Sequence, residues 1–441
     1  MNLLLRAVKI VDKASSLNGQ VKDLLLKEGR ILRIGDDLAA DGAEVREGQG
    51  WCVSPGWVDM RVASRDPGYE HEEDLDSVRR AAAQGGFTEI MLLPNSEPVV
   101  DAKDTLNYVR QSKNGSPVRV HVAAAVTRKA EGVNFTEMID LHHAGAVAFT
   151  DGEMPIQNAD ILLKALLYLR PLNALLINRP EDRQLTLFGQ MNEGVTSTLL
   201  GLKGMPALAE EMMLSRDLKL LAYATEEIGP PKPGKEGDSG PKLPQLHVSL
   251  LSTARAVALI REAKAQGLPV SCDVAAHQLA YDDSALMDFD TNLKVNPPFR
   301  RPADIAALRE GFVDGTIDSI VSDHSPHAEE SKNVEFDHAN FGITALETAF
   351  SLARMHSGLS VEDIIDKFTT NPRRILRLPE LSIAENQPAN LTVFEPDETW
   401  VFNKTFSKSK NSPFLGKELR GKVVGVMNGG VFVESCNRVI V

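Results

Sequence analysis

The sequence predicts an α/β fold in which a (β/α)₈ (TIM) barrel carries a small β-sandwich domain formed by both chain ends. The first observation is the centre of the chain, residues 55–384, where strand-like and helix-like segments alternate. The second is the pattern of the two ends, residues 1–54 and 385–441, which are rich in short β-like runs and tight turns. Active residues of such barrels lie at the carboxyl ends of the strands, so the functional side chains are expected there.

Strand-like runs recur through the centre of the chain. They cover residues 56–62, 89–93, 119–124, 146–149, 174–177, 219–222, 270–274 and 319–322. Helical patterns lie between them, at residues 74–84, 159–168, 206–216, 253–266, 302–310 and 343–356. Eight strands that are each followed by a helical stretch are typical of this barrel.

The β domain is predicted from runs at both chain ends. They cover residues 3–11, 21–27 and 30–34 and, after the barrel, residues 391–394, 421–427 and 430–433. Asn428, Gly429 and Gly430 supply a hairpin turn between the last two runs. Two unrelated terminal hairpins are the alternative.

Residues 228–244 interrupt the alternation. They are dense in Pro, Gly and charge, so they cannot pack as a helix or a central strand. We interpret them as a long loop after the sixth strand. The loop is either a surface insertion or a lid or partner-binding segment.

Charge and cysteine content exclude several classes of function. The chain has 441 residues and a net charge of −13, which argues against non-specific binding to nucleic acid or to an anionic membrane. Cys52, Cys272 and Cys436 lie far apart, which favours a reducing compartment and gives neither a disulfide framework nor a thiolate metal site. The amino-terminal stretch has no apolar run long enough for a signal peptide or a spanning helix, so a cytoplasmic location is expected.

A series of motif blocks runs in order along the chain. The blocks cover residues 55–59 (PGWVD), 65–74 (RDPGYEHEED), 81–88, 93–98, 144–152, 295–300, 322–327 (SDHSPH) and 370–375 (TNPRRI). In this order they resemble the motifs of dihydroorotases, which belong to the amidohydrolase superfamily. The resemblance implies a barrel of the amidohydrolase type, in which zinc activates a water that attacks a cyclic amide and an aspartate shuttles the proton.

The resemblance also places the metal-ligand positions of the family. They fall on Arg61, Ala63, Asp151, Arg179, Leu250 and Asp323, and Asp323 is also the position of the proton-shuttling aspartate. Catalytic zinc usually takes three protein ligands and a water, and a guanidinium would place permanent positive charge where the dication should lie. We therefore predict no metal and no cofactor at these positions. The alternative is an atypical zinc site.

Two further predictions follow when the other positions of the family are assigned to residues of this chain in the same way. Arg61 and Arg179 are expected to pair with Asp151 and Asp323, because buried carboxylates are costly without counter-charge. The substrate-binding positions are better kept: Arg65, Asn95 and His327 match residues that grip the substrate carboxylate, and Asn296 matches a contact to the pyrimidine ring. Inherited structural polar residues with no ligand are the alternative.

The sequence as a whole favours a non-catalytic dihydroorotase-like protein of pyrimidine biosynthesis with a scaffold or regulatory role. The resemblance implies aspartate carbamoyltransferase as a partner, a homodimer or larger assembly, and a pocket for dihydroorotate or another small carboxylate. Two alternatives stay open. One is an active dihydroorotase that interconverts dihydroorotate and N-carbamoyl-aspartate at an atypical metal site, and the other is a small-carboxylate sensor.

Overall fold

The computed structural model describes residues 2–111, 115–227 and 243–435. The strands are β1 (Asn2–Ile10), β2 (Val21–Lys27), β3 (Arg30–Gly35), β4 (Glu44–Glu47), β5 (Cys52–Pro55), β6 (Trp57–Val62), β7 (Phe87–Leu92), β8 (Arg119–Ala124), β9 (Ala148–Phe149), β10 (Leu176–Asn178), β11 (Met191–Asn192), β12 (Gly204–Met205), β13 (Leu246–Val248), β14 (Val270–Ala275), β15 (Ser319–Val321), β16 (Leu391–Val401), β17 (Glu418–Asn428) and β18 (Val431–Glu434). The helices are α1 (Leu75–Gln84), α2 (Lys103–Gln111), α3 (Met138–Ala144), α4 (Ala159–Leu169), α5 (Val195–Leu200), α6 (Ala207–Glu227), α7 (Ala254–Ala265), α8 (Pro302–Val313), α9 (Ala349–His356), α10 (Val361–Phe368) and α11 (Thr370–Ile375).

A barrel forms the centre of the molecule. Within the described ranges, eight parallel strands pair in the order β6-β7-β8-β9-β10-β13-β14-β15. The barrel closes where Val62 forms a parallel bridge with His324 and the Ala63 N–H donates to the His324 carbonyl at 2.9 Å. The predicted α/β barrel is therefore confirmed. Apolar side chains from alternating strand positions fill its interior, among them Val58, Met91, Ala123, Leu175, Ile177 and Val321.

The predicted sixth strand is wrong. Residues 219–222 lie inside helix α6, and the sixth barrel strand is β13. Leu214, Leu218 and Leu221 of this helix are buried at spacings of three and four residues, which is the helical period. A short apolar run such as Leu220 and Leu221 is ambiguous between strand and helix, and the longer helical pattern decides it here.

The segment 228–244 consequently precedes the sixth strand and does not follow it. Residues 228–242 lie outside the described residues, so the interpretation of this segment as a loop, a lid or a partner-binding element stays a prediction. Cys436 also lies outside them.

The two chain ends build one second sheet. Its order is β18-β17-β16-β5-β1-β2-β3, and β4 pairs with β1. The ends meet where β5 pairs antiparallel with β16, with Val53 opposite Val393. A cluster of buried apolar side chains that includes Leu3, Ile31 and Val393 packs on this sheet. The alternative of two unrelated hairpins is therefore wrong, whereas domain boundaries after residues 54 and 384 stay a prediction.

An aromatic cluster connects the start of the first barrel strand to its surroundings. Trp57 is fully buried, and its ring centroid lies 4.7 Å from Phe350, 5.4 Å from Phe394 and 5.6 Å from Phe368. These rings belong to α9, β16 and α10, so one side chain ties the barrel to two helices and to the second sheet. Within the described ranges, no helix is both long and apolar enough to cross a membrane.

Candidate functional site

A cavity of about 480 Å³ opens at the carboxyl ends of the barrel strands. Its lining includes the charged or polar side chains of Arg61, Arg65, Glu153, Arg179, Glu181, Arg183, Asn296, Asp323 and His327. The structure thus brings together six of the positions named from the sequence: Arg61, Arg65, Arg179, Asn296, Asp323 and His327. The other four, Ala63, Asn95, Asp151 and Leu250, are not among the lining residues.

Arg61 and Asp323 form an ion pair between the first and the eighth strand positions. The Arg61 Nε donates to Asp323 Oδ1 at 2.8 Å, and the two side chains are only 5% and 16% exposed. Burial raises the pKa of Asp323, and the charge of Arg61 opposes that rise. The predicted pairing is present for this aspartate.

Arg179 pairs with a different carboxylate from the one expected. Its Nη2 lies 2.7 Å from Glu181 Oε2 and donates to the Glu153 carbonyl at 2.9 Å. Burial opposes ionisation of Glu181, but the charge of Arg179 and two hydrogen bonds outweigh it and lower the pKa of this carboxyl. The guanidinium therefore fixes the loops after the fourth and fifth strands.

Asp151 is satisfied without a cation. Its Oδ1 accepts hydrogen bonds from the Val126 and Thr127 backbone N–H groups, both at 2.9 Å, and its Oδ2 accepts from the Thr127 hydroxyl at 2.6 Å. Burial raises the pKa of Asp151 against these bonds. The expected arginine partner for Asp151 is therefore wrong, since neutral donors of the loop after β8 take that place.

Leu250 is buried in the apolar cluster inside the barrel and has a left-handed backbone conformation, with φ of 63°. Its N–H donates to Asp273 Oδ1 at 2.6 Å. His247 has its Nε2 2.8 Å from Asp273 Oδ2 and is fully buried. This imidazole is thus committed to a buried carboxylate and not to the cavity.

The donor set does not fit a zinc ion. Of the two carboxylates at the family ligand positions, Asp151 has its oxygens occupied by N–H and O–H donors and Asp323 holds a guanidinium. A dication beside Asp323 would lie next to the fixed positive charge of Arg61. Among the described residues, no three His, Cys, Asp or Glu side chains converge in a way that could hold a metal.

Arg65 is the centre of the expected carboxylate grip. Its guanidinium lies close to Ser325 Oγ (3.0 Å), to His327 Nε2 (3.3 Å) and to the two carboxylate oxygens of Glu153 (3.1 and 3.4 Å). Glu72 is a further partner at 3.6 Å. Arg65 and His327 are therefore in contact, and the carboxylates beside Arg65 are those of Glu153 and Glu72, which belong to the protein itself.

Asn95 and Asn296 serve the walls of the cavity in this structure. The Asn95 Nδ2 donates to the Asp151 carbonyl at 3.0 Å, and its Oδ1 accepts from the Glu153 N–H at 2.8 Å. The Asn296 Nδ2 donates to Glu181 Oε2 at 3.1 Å. Asn95 thus stabilises the turn that carries Glu153, and Asn95 itself does not line the cavity.

Glu153 and Glu181 are the cavity residues that sequence reasoning did not single out. Glu181 lies two positions after Arg179, and Glu153 follows Asp151 and Gly152 after the fourth strand. An acidic residue at the carboxyl end of a barrel strand was the available signal. Its charge partner could not be read from the sequence, because Arg65 is 88 positions away.

Family models and curated relatives cover almost the whole chain. A dihydro-orotase-like model matches residues 50–226, and an amidohydrolase family model matches residues 245–433. The dihydroorotase of Pelotomaculum thermopropionicum is 39% identical over 436 residues, which are 98% of this chain and 98% of that protein. The dihydroorotase of Syntrophus aciditrophicus is 39% identical over 441 residues, covering 98% of this chain and 99% of that protein. The chain belongs to the dihydroorotase-like amidohydrolases.

Solved structures of this amidohydrolase type share the fold at lower sequence identity. The L-hydantoinase (dihydropyrimidinase) from Arthrobacter aurescens gives a TM-score of 0.80 at 21% identity and covers 100% of this chain and 97% of its own. The dihydropyrimidinase from Brevibacillus agri gives a TM-score of 0.79 at 20% identity, with 100% and 96% covered. At these identities the likeness establishes the barrel fold alone.

Proposed function

We propose that this dihydroorotase-like chain does not hydrolyse cyclic amides and has a scaffold or regulatory role in pyrimidine biosynthesis. The observation that carries the proposal is the Arg61–Asp323 ion pair at 2.8 Å. It puts a cation, Arg61, at one of the metal-ligand positions that the resemblance implies and pairs it with the aspartate kept at another. The carboxylate that would act on a reacting water is thus engaged by a guanidinium that does not deprotonate.

The remaining family ligand positions support the proposal. Ala63 has no donor side chain, Leu250 is apolar and buried, and Arg179 is paired with Glu181. A metal-activated water needs a Lewis acid held by at least three protein ligands, and these residues do not supply them. The cavity itself is retained, with Arg65 and His327 in contact, so binding of a small carboxylate such as dihydroorotate is compatible with this role.

The proposed partner is aspartate carbamoyltransferase. The resemblance to dihydroorotases supports this partner, because the carbamoyltransferase catalyses the preceding step of the same pathway. A homodimer or larger assembly is proposed on the same ground. Co-elution of the purified chain with the carbamoyltransferase from the same organism, compared with each protein alone on size exclusion, measures both.

The catalytic part is tested on the full-length purified chain. Hydrolysis of L-dihydroorotate and the zinc content are measured with and without added zinc, and the Pelotomaculum thermopropionicum dihydroorotase serves as the positive control. We expect no turnover above the uncatalysed rate and no bound zinc. About one zinc per chain with turnover that a chelator abolishes would overturn the proposal, and so would metal-independent turnover.

A further inference from the structure

We propose that Glu153 is a built-in occupant of the anion site of the cavity, which a small carboxylate ligand must displace in order to bind. This inference rests on the proposed function, because it treats the cavity as a binding site and not as a hydrolytic one. It adds a self-inhibitory contact that belongs to the residues of this chain.

The geometry of the Arg65–Glu153 contact is that of a bound ligand. The Arg65 Nη2 lies 3.1 Å from Glu153 Oε1, and the Arg65 Nη1 donates to Glu153 Oε2 at 3.4 Å. Two guanidinium nitrogens thus face two carboxylate oxygens, which is the forked arrangement that arginine uses for carboxylates in general. Ser325, His327 and a second, more buried carboxylate, that of Glu72 at 3.6 Å, lie beside the same guanidinium.

The exposure of the two partners differs. The Arg65 side chain is 9% exposed and faces the cavity, whereas the Glu153 side chain is 36% exposed. The cation is therefore part of the wall, and the carboxylate lies on the accessible side. The Glu153 carboxylate therefore occupies the place in which a solute entering the cavity would contact Arg65.

The backbone of Glu153 is fixed, although its side chain is not enclosed. Its N–H donates to Asn95 Oδ1 at 2.8 Å, and its carbonyl accepts from Arg179 Nη2 at 2.9 Å. Gly152 precedes it with φ of 66°, and a Cβ added there would lie 1.8 Å from Asn95 Oδ1. The turn is thus held in place, so displacement requires only rotation of the Glu153 side chain about its own bonds.

The charges of the cavity identify the class of ligand. Three of the arginines that line the cavity are buried. Arg61 is matched by Asp323 and Arg179 by Glu181, and Glu153, the partner of Arg65, is the most exposed of these three carboxylates. Burial opposes ionisation of Glu153, but the charges of Arg65 and His327 outweigh it and lower the pKa of this carboxyl, so it is an anion at neutral pH. The ligand that replaces it is therefore a small carboxylate, the kind of anion that a guanidinium binds through two hydrogen bonds.

The test is calorimetric titration of the full-length chain with L-dihydroorotate. Glu153→Gln keeps the shape of the side chain and removes its charge, so the contact with Arg65 weakens, whereas Glu72 stays beside Arg65 in both proteins. We expect the affinity of this variant to be about tenfold higher than that of the wild-type chain, because the fraction of competent sites rises. Glu131→Gln, at an exposed position that does not line the cavity, is the matched control and should leave the affinity unchanged.

Glu153→Asp keeps the charge on a side chain one methylene shorter, and it is the second variant in case Glu153→Gln folds poorly. We expect a smaller gain in affinity from it, because the contact with Arg65 is strained and not abolished. Equal or weaker binding by both variants, or no binding by any form, would overturn the inference. Turnover by the wild-type chain would overturn the proposed function instead, and the comparison of affinities would still decide the role of Glu153.

Discussion

The two ends of strand β6 show how differently one barrel can be stabilised. Trp57 begins the strand in an aromatic cluster and is fully buried. Arg61, four positions later, ends in a cavity lined by charged groups and pairs with Asp323. The first end is stabilised by burial of apolar surface, which does not depend on pH. The second end is stabilised by the pairing of opposite charges.

This difference shows which part of the barrel depends on apolar packing and which part on the pairing of charged and polar groups. The aromatic end ties the barrel to α9, α10 and β16, so its replacement would disturb three elements at once. The cavity end depends instead on partners for each of its buried carboxylates. Asp151 and Asp323 illustrate this rule, because one is satisfied by Thr127 and backbone N–H groups and the other by a guanidinium.

The largest expected effect is at the aromatic end. Trp57→Ala should lower the free energy of unfolding by about 4 kcal/mol, since a large buried ring leaves a cavity that neighbours fill only in part. Phe188→Ala is the matched aromatic control at the other end, because Phe188 lines the cavity but is 75% exposed, and it should cost less than about 1 kcal/mol. Urea unfolding of the three proteins measures both. Equal losses of unfolding free energy for the two variants would contradict the view that the aromatic end is the one stabilised by packing.

The second effect concerns compensation of charge at the cavity end. Arg61→Met leaves the buried Asp323 carboxylate without its nearest cation and should cost about 3 kcal/mol of unfolding free energy. The double variant Arg61→Met with Asp323→Asn removes both charges, and we expect it to recover most of that loss. Urea unfolding of the single and double variants at neutral pH gives the comparison. A double variant as unstable as Arg61→Met would contradict the view that the pair is a mutual compensation.

Sequence patterns were informative where the physical cause is local or repeated. The barrel followed from alternating strand and helix patterns. The Arg61–Asp323 pair was expected because the family resemblance placed both residues at the same site and a buried carboxylate is costly without donors or counter-charge. The strand expected at residues 219–222 failed because a short apolar run fits either period, and the helical spacing of Leu214, Leu218 and Leu221 outweighs it.

The rest of the site depends on contacts that no local pattern encodes. Asp151 is held by a loop 24 residues earlier, and neutral donors from a backbone turn leave no trace in residue type. Glu153 meets Arg65 only because the first and fourth strands end on the same face of the barrel. The identities of the charged residues were visible in the sequence, but their pairing needed the fold.

Two buried lysines beside the cavity make the stability of this end of the barrel depend on pH. The Lys332 Nζ donates to the Asn340 and Gly342 carbonyls at 2.7 and 3.3 Å, and both of these residues line the cavity. Lys294 lies beside them, with its Nζ 4.8 Å from the Phe341 ring centroid. Burial, with the charge of Lys294 as a second cause, lowers the pKa of Lys332 from 10.5 to about 7.

The sign of the pH effect follows from this lowered pKa. Between about pH 7 and pH 10 the unfolded chain holds the Lys332 proton and the folded chain does not, so stability rises with pH in this window. Relative to Lys332→Met, which cannot titrate, the wild-type chain should gain about 2 kcal/mol of unfolding free energy from about pH 6 to pH 9. Urea unfolding of both proteins at the two pH values isolates this gain, because the other titrating groups are common to them. If the difference in unfolding free energy between the two proteins is the same at both pH values, the folded chain keeps the Lys332 proton throughout this window. The contrast between the two ends of β6 would then rest on the ion pairs alone.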